Sequence, residues 1–61
     1  MKANLSFEVG AEYKAMLNGQ ERTFEILEFD GELYGIRWDD GDEEWAYPKD
    51  MERWIREYNE L

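Results

Sequence analysis

The chain has 61 residues, ten of them aromatic, with sixteen acids against seven bases and neither Cys nor His. That length holds one domain, residues 1–61, and the missing residue types remove disulfides, thiolate metal sites, the commonest general base and the commonest metal ligand. A net charge of −9 argues against direct nucleic-acid binding, which calls for Lys and Arg against phosphates. No apolar run nears the ~20 residues of a membrane span and no signal-peptide core is evident, so a cytoplasmic monomer without membrane contact is expected.

In chain order, residues 1–6 read as a loose lead-in, and Phe7 and Val9 as the first apolar pair before Gly10. Ala11 to Leu17 alternates as a strand, with Ala11, Tyr13, Ala15 and Leu17 on one side. Asn18-Gly19 is a strong hairpin signal, because both residues tolerate positive φ. A second strand runs from about Arg22 to Phe29. Its alternation breaks, since Phe24 and Ile26 share one face while Leu27 and Phe29 fall on the other. A bulge near Ile26-Leu27 allows both pairs to be buried. Asp30-Gly31 signals a second hairpin.

The central stretch, Leu33 to Tyr47, reads as strand, acidic turn, strand. Tyr34, Ile36 and Trp38 alternate, Asp39-Asp40-Gly41-Asp42 reverses the chain, and Trp45 and Tyr47 resume the alternation. Gly41 supplies a positive φ, and the aspartates bond to nearby amides. Between Glu25 and Glu44 lie nine acids and one base, Arg37, a net −8 that is nearly the whole imbalance. Four strands in a meander expose their edges, and a bent meander closing into a small barrel hides most of them. Pro48 then opens a helix to Leu61, with Asp50 and Glu52 suited to its dipole and an i,i+4 pair between Glu52 and Arg56. Met51, Trp54, Ile55, Tyr58 and Leu61 form one apolar stripe, which docks most simply over an open end of the barrel.

Val9-Gly10, Tyr13, Ala15, Phe24, Ile26, Ile36, Trp38, Asp39-Asp40-Gly41-Asp42 and Glu44 make up a pattern that resembles Tudor-like members of the SH3-like barrels, over about Phe7 to Trp54. The resemblance implies a mainly β fold, a bent barrel of four to five antiparallel strands with a C-terminal helix over residues 48–61. Tudor-like domains often read methylated Lys or Arg in an aromatic cage, a cation over aromatic faces beside a carboxylate. The matched cage positions are Leu17, Phe24, Trp38 and Gly41, of which only Phe24 and Trp38 are aromatic. A weaker likeness is to small archaeal chromatin proteins, which are basic and bind DNA, opposite in charge to this chain.

The reading favoured by these features is a non-enzymatic module that binds a basic protein or peptide. Its expected surface is Trp38, Asp39, Asp40, Asp42, Glu43, Glu44, Trp45 and Tyr47, where aromatics anchor and acids steer. The alternative is a small acidic inhibitor, of a kind typical of phages and mobile elements, that mimics nucleic acid and blocks a nucleic-acid-binding protein. An enzyme is disfavoured by the lack of any nucleophile motif or deep cleft. No cofactor is implied. The loop carboxylates lack the ligand spacing of an EF-hand, and no metal site is expected.

Overall fold

The computed structural model describes residues 7–60. These described residues form four antiparallel strands in a single sheet, β1 (Glu12–Leu17), β2 (Gln20–Phe29), β3 (Tyr34–Trp38) and β4 (Glu43–Ala46), followed by one helix, α1 (Pro48–Asn59). Strand order equals sequence order, so every connection is a hairpin. Asn18 and Gly19 sit at φ 52 and 78 between paired Leu17 and Gln20, the double positive φ that a two-residue turn needs. The next reversal is centred one residue later than Asp30-Gly31. Asp30 donates its N–H to the Leu33 carbonyl, and its carboxylate accepts the N–H groups of Glu32 and Leu33 at 2.8 and 2.7 Å. Gly31, at φ 105, starts the tip.

The break in β2 is a bulge. Ile26 pairs with Ile36, but Glu28 pairs with Gly35, leaving Leu27 without a partner. One extra residue exchanges the faces of everything that follows it. Before the bulge, Phe24 and Ile26 point into the core across from Trp38 and Ile36. After it, Phe29 rather than Glu28 shares Tyr34's side, stacking on that ring at 4.3 Å. The expected burial of Phe29 does not follow, since it has one aromatic neighbour and stays 47% exposed. Val9 is also exposed, whereas Phe7 is buried edge-on against Tyr13 and Tyr34.

The inner face gathers Ala15, Phe24, Ile26, Ile36, Trp38 and Ala46, and Met51 of α1 closes over them with Trp54 and Ile55 partly buried beside it. Pro48 occupies the first helical position, where its missing N–H needs no partner. The helix ion pair is Asp50–Arg53 at 3.1 Å, and Glu52–Arg56 is absent from the pairs formed among the described residues. Leu61, the expected end of the apolar stripe, lies outside the described residues, as does the lead-in of residues 1–6.

The sheet does not close into a barrel. β4 ends after four residues because Pro48 cannot extend a ladder. The helix it starts packs against β1, so among the described residues β1 meets a helix rather than β4 and the outer edge of β4 is left unpaired. The result is an SH3-like arrangement with an open sheet in which β1 and β4 are the edges.

Candidate functional site

The site is built from the turn between β3 and β4. Trp38 accepts the Gly41 N–H at its carbonyl and donates its own N–H to the Asp42 carbonyl at 2.7 Å. The loop is thus three residues, Asp39-Asp40-Gly41, with Gly41 at φ 94. Three-residue hairpins place their last residue in the left-handed region, which Gly occupies without strain. This count sets which side chains share a face. Ile36 lies opposite Glu44, Tyr34 opposite Ala46, and Gly35 opposite Trp45. Trp38 and Trp45 therefore point to opposite faces.

Trp38 is 4% exposed. Its ring meets Phe24 edge-on at 5.3 Å and Trp54 at 5.4 Å, Arg22 lies over it at 5.3 Å, and its Nε1–H donates to the Glu44 carboxylate. A buried indole N–H needs such an acceptor. Trp38 accordingly does not share a surface with Trp45 and Tyr47, contrary to the expectation from alternation. Phe24 is fully buried as well, so neither aromatic at the matched cage positions is open to a methylated cation.

Most loop acids are engaged within the fold. Asp39 receives Arg22 Nε at 2.9 Å and the Thr23 N–H at 3.2 Å, which tie the loop to β2. These bonds, from Arg22 first, hold the Asp39 carboxyl below the usual carboxylate range. Asp40 accepts the Asp42 N–H and lies 3.3 Å from Arg22. Asp42 is exposed at the end of the loop. On the outer face, Arg37 bridges Glu25 at 2.8 Å and Glu43 at 3.6 Å. The hydrogen bond to Glu25 raises the arginine pKa further, so this base stays charged and locally neutralised.

Trp45 is 50% exposed on that outer face. Its ring lies over Gly35: a Cβ there would come within 3.4 Å of the indole and 3.1 Å of the Glu28 Cγ. Gly35 is the floor that lets Trp45 and Glu28 close over the strand. Glu28 reaches this position only because the Leu27 bulge turned it outward. Leu27, Glu28, Gly35, Ile36, Glu43, Glu44 and Trp45 line a shallow depression of about 260 Å³, below the ~300–1,000 Å³ of small-molecule pockets. Tyr47 is exposed at the N-cap of α1, outside the depression.

Of the residues expected from sequence, Glu43 and Trp45 come together here beside Glu44, whose carboxylate is turned to the Trp38 indole, while Asp39, Asp40 and Trp38 serve the hairpin and the core. Leu27, Glu28 and Gly35 were not expected. Their signal was the broken alternation of β2 combined with a glycine in β3 opposite a tryptophan. Among the described residues, no three acidic side chains converge as a metal-ligand set, and no helix is long and apolar enough to cross a membrane. Neither a family model, nor a curated protein, nor a solved structure matches the chain.

Proposed function

We propose that the protein is a non-enzymatic, Tudor-like binding module that takes a basic side chain of a partner protein on the outer face of its sheet. The observation that carries this reading is the half-exposed Trp45 ring over Gly35, flanked by Glu28 and Glu43. A tryptophan face attracts Lys or Arg by cation–π interaction. Nearby carboxylates add charge complementarity, which mainly speeds encounter and fixes orientation. The depression fits the end of one long side chain rather than a substrate. In this reading the cation-binding aromatic is Trp45, displaced from the buried positions of the family pattern.

The partner is a protein with a basic surface. Nucleic-acid-binding proteins fall in this class. Titration with a lysine-bearing peptide, followed by amide shifts, tests the reading. Shifts should centre on Gly35 and Trp45, and association should slow as ionic strength rises toward ~0.5 M, where charges are screened within a few ångströms. Undiminished affinity in Trp45→Ala would sink the proposal. Loss of partner binding on adding an oligonucleotide identifies a nucleic-acid-binding partner, and indifference to it identifies another basic protein.

A further inference from the structure

Strand β4 is an edge of the sheet. The bond from Trp38 N–H to the Asp42 carbonyl makes that couple a hydrogen-bonded pair of the antiparallel ladder. Such pairs alternate with non-hydrogen-bonded ones. Glu44 and Ala46, two and four residues on, therefore turn their backbone groups toward β3. Glu43 and Trp45 turn theirs away from it. Among the described residues, no strand pairs with that side of β4. The strand offers two N–H and two C=O groups along an exposed edge, and one of the two residues offering them is the one whose indole stands open on the outer face.

We infer that β4 receives an extended basic segment of the partner as a fifth strand, with Lys or Arg at alternate positions laid against Trp45 and Glu43. This deepens the reading of Trp45 as a cation site and rests on it. In strand addition, backbone bonds supply affinity and alternate side chains supply specificity. The segment's residue opposite Trp45 shares its face, so backbone pairing itself delivers a cation to the ring. Its neighbours in sequence point to the inner side, along Glu44 and Ala46, where small uncharged residues fit. The acids of β4 guard the edge selectively, since charged side chains on an edge strand oppose pairing with like-charged chains. A second copy of this chain is a poor occupant for that reason. β4 against β4 would bring Glu43 and Glu44 of two molecules together, each of net charge −9.

The experiment compares two capped octapeptides of alternating Lys and Thr, one with ordinary amides and one N-methylated through its central residues. The charges and side chains are the same, but the second lacks backbone donors. The ordinary peptide should bind at least about tenfold more tightly, as expected from losing a few net hydrogen bonds. It should also slow hydrogen exchange at the Glu43 and Trp45 amides, with no such protection by the methylated peptide. Equal affinity for both, with shifts at Trp45, overturns strand addition and leaves the cation site standing. Absence of binding by either peptide overturns the cation site and strand addition together. A dimer in sedimentation whose contact protects those same two amides makes a second copy the occupant and also overturns the inference.

Discussion

Trp38 and Trp45 belong to one hairpin, yet the inner face consumes the first and the outer face displays the second. On the inner face, every large group has a partner: Trp38 has Phe24, Trp54, Arg22 and Glu44 around it. On the outer face, Trp45 has a glycine beneath it and half of its surface in water. Burying the whole indole would have contributed far more to stability in a domain with so small a core. The half-exposed Trp45 beside Glu28 and Glu43 is therefore the feature on which the proposed binding role rests.

The sharpest way to break this comparison is to truncate each tryptophan in turn. Trp38→Ala should cost ~3–5 kcal/mol, comparable to the entire stability of a core this size, and the variant should be largely unfolded by circular dichroism. Trp45→Ala should lower the unfolding free energy by no more than ~1 kcal/mol, while weakening binding of a basic peptide by ~30-fold or more, the effect of losing an aromatic anchor. A folded Trp38→Ala, or an unfolded Trp45→Ala, would reverse the roles assigned to the two faces. Trp54 of α1, partly buried against Phe24 and Trp38, should fall between them at ~2–3 kcal/mol, with binding intact in whatever fraction remains folded.

Gly35→Ala tests the outer face without touching its aromatic. The added methyl would crowd the Glu28 stem and the indole, but Glu28 is flexible and Gly35 holds no positive φ. The strain and the entropy lost from the unfolded chain work in opposite directions, each under ~1 kcal/mol. Stability should therefore barely change. Trp45 should be lifted off the strand, seen as a change in its indole Nε1–H shift, and affinity for a basic peptide should fall several-fold. Unchanged affinity would mean that the ring binds equally well from a more exposed pose and that the floor has no role.

The hairpins and the helix start were legible because their signals are local: Asn18-Gly19 needs only its own two residues, and Pro48 only its own ring. The bulge was legible as a broken alternation, with Phe24 and Ile26 on one parity and Leu27 and Phe29 on the other. Which way Trp45 faced was not. That depends on whether the acidic turn holds three residues or four, and Asp39-Asp40-Gly41-Asp42 is compatible with either. A single residue there reverses the face of all of β4. The duty of Asp39 was hidden for a different reason, since its partner Arg22 lies on another strand and no periodicity relates them. Closure of the sheet was equally illegible, because it depended on where α1 packs and not on any strand's own pattern.

The smallest expected effect concerns that aspartate and sharpens the boundary between the two regions. Asp39 stands in the acidic turn, where composition alone makes it a candidate contact, but its carboxylate is turned to Arg22 and the Thr23 N–H. Its pKa is lowered in the folded state. The unfolded chain, titrating near the ordinary value of 3.8, therefore binds the proton more readily. The stabilisation is fully present above that value and is lost as pH falls through the lower, folded one. Arg22 stays charged across this window, so the titrating partner is Asp39. Asp39→Asn should lower the urea midpoint slightly at neutral pH and flatten the acid side of the stability profile. Some acid dependence should remain from Asp30, whose carboxyl is also held low by the Leu33 and Glu32 amides. Affinity for a basic peptide at moderate salt should stay within about twofold, the scale of removing one charge outside the contact. A variant with unaltered acid stability but markedly weaker binding would move Asp39 from the hairpin's support to the contact surface.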